Sequence, residues 1–376
     1  MSVTDRGKAP FRVGVLSVVK HCYLPRAMAA HPRFELVCVA DEADRPDWTH
    51  ERNQRFADEC GIPYVRSVEE AIARHALDAV VVSSEAERHC DLAIRAAKAG
   101  LHIVVDKPIA TRLEDCDRLI DVIESHGVRC LVWNRNFLPA MLQARAAVEE
   151  GKLGALRAIH CDFYFAKDAG VPLGTRREGD PPIEWLERQL EAHADGSDGG
   201  VGIEAMGELQ VEGIYPLSYI RMLTGGARPV RVFARTTAHF HQAHADHHVE
   251  DLASVTLELD NGAFATLCIG RIGAFAHPDL GEIKLHLVGD KASMVVSEAR
   301  PEVAVYRRRQ PPSELRHRRI ADRNNYLLAE NFARAIDGTE RPILDAQGAR
   351  DICATVLAAI ESGHTGTPVK VKRRAQ

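Results

Sequence analysis

The chain has 376 residues, 45% of them apolar and 27% charged, which suits a folded protein of two or three domains rather than a disordered one. A net charge of −5 argues against nucleic acid as the main partner, and no stretch nears the roughly 18 consecutive apolar residues of a membrane span. Nine scattered cysteines without a CxxC spacing, and an N-terminus without a signal-peptide core, predict a cytoplasmic protein with free thiols.

Short β-branched runs open the chain at residues 11–16, 35–40, 78–83, 101–106 and 129–133. Their near-continuous apolar character means burial on both faces, as in a parallel sheet. Helical segments lie between them. Ser67 with Glu70, and Thr111 with Glu114, read as capping boxes. Leu113, Cys116, Ile120 and Ile123 share one face of the second helix, and Gly127 is placed to end it. Alternating strands and helices predict a doubly wound sheet over residues 1–135, with ligands at the carboxyl ends of its strands.

The pattern then changes. A strand is expected at 155–165, a loop-rich stretch at 171–200 and a helix near 213–223. Strands follow at 230–237, 253–259, 263–269, 283–288, 293–296 and 303–306. Asp260-Asn261-Gly262 is a hairpin signal between two of them. Neighbouring strands predict a mostly antiparallel sheet, so residues 136–376 are expected to form an α+β domain. Leu328, Phe332, Ala335 and Ile336 mark one late amphipathic helix, and residues 346–362 another.

The segment after the first strand reads Gly14-Val-Leu-Ser17-Val-Val-Lys-His21. A dinucleotide phosphate loop belongs there, but only Gly14 stands where a glycine should, with Ser17 in place of another. Asp41 ends the second strand. A carboxylate there accepts hydrogen bonds from the ribose hydroxyls and repels a 2′-phosphate, which favours NAD over NADP; Arg45 lies near enough to blur that preference. Asp106-Lys107-Pro108 follows the strand at 101–106. Lys107 is thereby set over the ligand crevice, where its ammonium can stabilise alkoxide charge, and Pro108 restricts the backbone beside it.

Together these segments resemble the glucose–fructose oxidoreductase/inositol dehydrogenase (Gfo/Idh/MocA) family. The resemblance rests on Ser84-Glu-Ala-Glu-Arg-His89, Asp106-Lys-Pro108, Asn134-Arg-Asn-Phe137 and Gly207-Glu-Leu-Gln-Val-Glu-Gly213-Ile-Tyr215, in that order, and runs from about residue 11 to 371. It implies an N-terminal Rossmann-like domain and a C-terminal α+β domain whose large sheet pairs subunits into a dimer or tetramer. It implies a nicotinamide dinucleotide held by Gly14, Ser17, His21, Asp41, Ser83, Ser84, His89, Asp106, Lys107 and Arg135. It implies a sugar, inositol or related polyol as substrate.

Several positions depart from the family pattern. Tyr215 takes the place of the usual catalytic His, as in the glucose–fructose oxidoreductase branch, and Val211 the place of a carboxylate four residues earlier. Lys107 and Tyr215 are the expected catalytic pair, since a nearby ammonium favours the phenolate of a tyrosine base. Glu208 and Glu212 are the fallback positions. Lys167, Asp168, Arg177 and Trp185 lie in loops expected to touch substrate. His239, His241, His244, His247 and His248 crowd one segment; an exposed loop, not a metal site, is the expected reading. Two alternatives stay open: an enzyme that retains NAD for elimination, epimerisation or hydrolysis, and a dinucleotide-binding sensor or scaffold without turnover.

Overall fold

The computed structural model describes residues 9–19, 21–164, 206–271, 282–298, 303–305, 313–315 and 320–375. Contacts divide these into two compact units. One holds the residues up to Asn134 together with Asn325–Cys353; the other runs from Arg135 to Asn324 and resumes at Ala354.

The first unit is built on strands β1 (Phe11–Leu16), β2 (Phe34–Ala40), β3 (Tyr64–Val65), β4 (Ala79–Val82), β5 (His102–Val105) and β6 (Cys130–Val132). All pairs are parallel, in the order β3-β2-β1-β4-β5-β6. This is the doubly wound order, whose direction reverses at β1 and β4. Every residue of β4 is fully buried, as the apolar run required. Gly14 lies inside β1, where a Cβ would come within 2.7 Å of Leu77 Cδ1. It is a packing position, not part of the loop that follows the strand.

The helices are α1 (Tyr23–Ala29), α2 (Asp47–Cys60), α3 (Val68–Arg74), α4 (His89–Lys98) and α5 (Leu113–His126). Ser67 caps α3 as expected, its hydroxyl accepting from the Glu70 N–H at 3.2 Å. Thr111 does not cap α5. That helix starts one residue later than a Thr111 cap would require, with extended Arg112 as its N-cap and no side-chain cap bond. Leu113, Cys116 and Ile120 are buried on its inner face and Gly127 ends it at φ 65.

Strand β3 is two residues long, too short to leave a pattern in the sequence. Residues 325–353 also belong with this unit, a placement that helical periodicity does not reveal. Leu328, Phe332 and Ala335 are fully buried, and the Phe332 ring stacks on Phe34 of β2 at 5.9 Å. Arg33 forks onto both Asp337 oxygens at 2.8 and 3.1 Å, and Arg350 onto Asp117 at 2.9 and 3.3 Å.

The second unit carries α6 (Pro139–Glu149) and a seven-stranded sheet. Its strands are β7 (Leu156–Tyr164), β8 (Pro229–Thr237), β9 (Leu252–Leu259), β10 (Phe264–Gly270), β11 (Glu282–Gly289), β12 (Ser293–Glu298) and β15 (Val369–Lys370), ordered β12-β11-β7-β10-β9-β8-β15. Only β7 and β10 pair in parallel. The Asp260–Gly262 turn joins β9 to antiparallel β10 as expected. Two short strands, β13 (Val303–Val305) and β14 (Ser313–Leu315), form a separate ladder.

Alternation sorts the large sheet into two faces. Leu257, Leu267, Phe163 and Leu285 are buried on one. On the other, register lines up Val295, His286, His160, Thr266, Thr256 and Phe233 in one row. Among the described residues no helix is long and apolar enough to cross a membrane.

Phe332 gives a direct test of the first unit's makeup. Phe332→Ala should lower unfolding free energy by roughly 3–5 kcal/mol, the cost of emptying a buried aromatic site. Urea unfolding measures it; a loss below 1 kcal/mol would mean that the 325–353 segment does not support the sheet.

Candidate active site

The sequence places its polar candidates just beyond strand ends, and the fold brings those ends to one edge. Ser17 follows β1 at φ 65, a left-handed conformation that favours glycine. Its N–H donates to the Ala40 carbonyl at 2.9 Å, and its buried hydroxyl has no hydrogen-bond partner among the described residues. The next residue, Val18, packs with Val15, Val39 and Phe56. The phosphate loop has therefore exchanged a bare backbone for a core side chain, while keeping the turn a glycine would make.

Asp41 ends β2 fully buried. Its Oδ1 accepts from Arg88 Nη2 at 2.5 Å and from the Glu42 N–H at 2.9 Å, and its Oδ2 accepts from Asn53 Nδ2 at 3.0 Å. Asn53 in turn accepts from the Val18 N–H at 2.8 Å. Arg88 also holds Glu85 at 3.0 Å, and both carboxylates push its already high pKa further up. Arg45 donates to Asp44 Oδ1 at 3.2 Å. Arg88 and Asn53 escaped the sequence reading, because pairing across 47 and 12 positions leaves no local pattern.

A second buried carboxylate, Asp106, follows β5. Its Oδ2 meets His21 Nδ1 at 2.6 Å and accepts from the Ser83 hydroxyl at 3.1 Å, while Oδ1 accepts from the Lys107 N–H at 2.7 Å. The next side chain, Lys107, is 2% exposed, and the Lys107–Pro108 peptide is cis. His89 is fully buried, its ring nitrogens at 2.7 Å from the Pro108 carbonyl oxygen and 2.9 Å from that of Ser84. It ties the loop after β4 to the loop after β5. The Ser84 hydroxyl donates to the Glu85 carbonyl at 3.1 Å.

The edge thus joins Ser17, His21, Asp41, Ser83, Ser84, Asp106 and Lys107. These groups fit a dinucleotide: an unpartnered buried hydroxyl at the β1 turn, a carboxylate at the end of β2 and a cation at the end of β5. Gly14 does not reach this edge.

In the second unit Tyr215 lies on the helix Ile214–Leu223, 1% exposed, with its ring 6.0 Å from that of Phe163. Arg135 is placed over the Tyr215 ring at 4.1 Å, a cation–π contact. The Ser218 hydroxyl donates to Asn136 Oδ1 at 2.7 Å. One turn earlier Glu208 and Glu212 flank buried Arg271, at 2.8 and 3.3 Å. Neither Arg271 nor its clamp was foreseen.

The histidine segment is only in part the exposed loop expected of it, with His239, His247 and His248 exposed. Residues Gln242–Asp246 form a helical turn, and His241 and His244 are buried. The Asp251 carboxylate fixes the segment by accepting from the backbone N–H groups of His239, Phe240 and His241. Burial and the Arg271 charge push His244 down to about 4. Lys167, Asp168, Arg177 and Trp185 lie outside the described residues.

Glu250, whose Oε1 accepts from the Leu209 N–H at 2.8 Å, is pushed up to about 7 by burial. A carboxyl group raised in the folded state binds its proton more tightly there, so its contribution to stability falls as pH rises from 4.5 to about 7. Glu250→Gln should flatten that limb and make the protein more stable than wild type by about 2–3 kcal/mol at pH 8. Denaturant titrations at pH 5 and pH 8 measure the difference; equal pH slopes in the two proteins would refute it.

Comparison with known proteins agrees with this architecture. Residues 13–133 match the model described as "Oxidoreductase family, NAD-binding Rossmann fold", and residues 204–295 match the GFO/IDH/MocA C-terminal domain. The chain is 24% identical to scyllo-inositol 2-dehydrogenase (NAD(+)) of Bacillus subtilis, over 90% of each chain. It is 22% identical to 2,7-anhydro-N-acetylneuraminate hydratase of Mediterraneibacter gnavus, over 93% of each. In fold it is similar to scyllo-inositol dehydrogenase from Lactobacillus casei, solved with NAD(H) and scyllo-inositol, at TM-score 0.76 and 16% identity, covering 96% of this chain and 99% of that one. With both family domains matched in order, the chain belongs to the GFO/IDH/MocA family of NAD-binding oxidoreductases.

Proposed function

We propose that the protein moves a hydride between nicotinamide and a carbinol carbon of a sugar, inositol or related polyol. The observation that carries this reading is Lys107, a cation 2% exposed at the carboxyl end of β5, beside the buried Asp106. Burying an ammonium is costly, and positions that bear the cost are favoured where the charge is used. A bound nicotinamide supplies the hydride acceptor. Lys107 hydrogen-bonds the substrate hydroxyl and stabilises the oxygen as its proton leaves. Tyr215 is the proposed acid–base residue, its ring 6.0 Å from that of Phe163 and under the Arg135 guanidinium at 4.1 Å. Ser17 faces the dinucleotide, and Asp41 acts at the ribose end through the Arg88 it holds, with His21 and Ser83 bracing Asp106. Polyol chemistry is supported by the inositol dehydrogenases among the relatives.

Subunit pairing belongs to the same reading, across the sheet face where Phe233, Phe264 and Val295 are 39, 45 and 63% exposed.

A second reading is favoured by Val211, which stands where the family pattern has a carboxylate, and by the similarity to a hydratase. In it the hydride returns to the substrate and the cofactor stays bound.

Two measurements decide. Net NADH release with a polyol supports the first reading, and turnover with the cofactor retained supports the second. Lys107→Ala and Tyr215→Phe should each lower turnover by roughly 10²-fold or more, while dinucleotide affinity changes far less. Full turnover by Tyr215→Phe on the true substrate would move the acid–base role elsewhere.

A further inference from the structure

The end of β2 is where a dinucleotide's adenosine ribose is read, and an acid there ordinarily repels a 2′-phosphate. In this protein that acid is covered. Asp41 is 0% exposed and three donors already hold it, from Arg88, Asn53 and the Glu42 backbone. The Arg88 guanidinium cancels the charge on which repulsion depends. The outermost group of the cluster is Arg88 itself, whose side chain is 19% exposed against 0% for Asp41.

We infer that Arg88 governs recognition at the ribose 2′ position and equips the protein to bind a 2′-phosphorylated dinucleotide as well as NAD. The inference rests on the reading of this edge as the dinucleotide site. A guanidinium carries five N–H donors in a planar fork that matches phosphate oxygens. Arg88 spends one on Asp41 through Nη2 and one on Glu85 through Nη1. The rest of the fork is available to a phosphate, and a modest swing trades the Asp41 bond for a phosphate bond of the same charge-assisted kind.

The cluster also sets the sign of each perturbation. Glu85 competes for Arg88 and adds negative charge beside the site, so it opposes a 2′-phosphate. Asp41 opposes it too, by holding Arg88 inward.

The test is calorimetric titration of the full chain with NAD and with NADP, separately. Wild type should bind both, with dissociation constants within roughly tenfold of each other. Arg88→Ala should weaken NADP relative to NAD by about tenfold or more, the scale of a lost charge-assisted bond, with NAD binding itself retained. That retained NAD binding also reports that the variant is folded. Glu85→Gln, which leaves the Asp41–Arg88 pair intact, should tighten NADP by about threefold and leave NAD unchanged; it decides the matter should Arg88→Ala fail to fold. An NADP-to-NAD ratio unchanged in the variants, or wild type that binds NAD with no detectable NADP binding, overturns this inference alone. Wild type that binds neither cofactor overturns the dinucleotide reading with it.

Discussion

Two aspartates sit fully buried where the parallel sheet ends, and neither carboxylate can stay charged there without partners. Asp41 finds Arg88 and Asn53; Asp106 finds His21, Ser83 and the Lys107 N–H. Those partners come from the loops after β1 and β4 and from α2, so satisfying the two acids fixes the segments that frame the ligand edge. Removing one member of such a buried pair typically costs about 3–5 kcal/mol, a large share of a domain's stability. The edge is held in place before any ligand arrives, which is what a site built on rigid strand ends requires.

The glycine-poor turn after β1 follows the same logic. Ser17 at φ 65 bears a cost of roughly 1–2 kcal/mol for an L-residue in that conformation. Burying Val18 among Val15, Val39 and Phe56 returns about 1.5–3 kcal/mol. The turn survives without its glycines because its second residue has become part of the core, and because Asn53 holds the Val18 N–H. What the loop gives up is a bare backbone for the pyrophosphate, a loss that places more weight on the side chains along the edge.

The parallel sheet was legible in the sequence because strands buried on both faces must be apolar throughout, and the runs at β1, β2, β4, β5 and β6 are. Two-residue β3 carries too little pattern to register. The Thr111 cap was misread because a capping box shifted by one residue looks the same on paper, and only the backbone angles at Arg112 show where the helix starts. The late helices were visible from Leu328, Phe332 and Ala335, but periodicity says that a face is buried and not what covers it. The strand-end residues Asp41, Asp106 and Lys107 were readable for the same reason as the strands. Their partners were not, since Arg88 in a helical turn and Asn53 on α2 look like ordinary surface polar residues until the fold closes on them.

The second unit narrows the choice of acid–base residue by energy. Glu208 and Glu212 stand near the position that the family gives to a carboxylate, and both are hydrogen-bonded to an Arg271 that is 2% exposed. Protonating either one would withdraw negative charge from a buried guanidinium. A group so committed cycles a proton poorly. The Tyr215 ring has the Arg135 guanidinium over it at 4.1 Å and the Phe163 ring 6.0 Å away, contacts that position the ring and, in the role proposed for it, leave proton transfer to its oxygen. Under that proposal packing orients the ring where Val211 replaces the family's carboxylate, and an aromatic ring can be held that way.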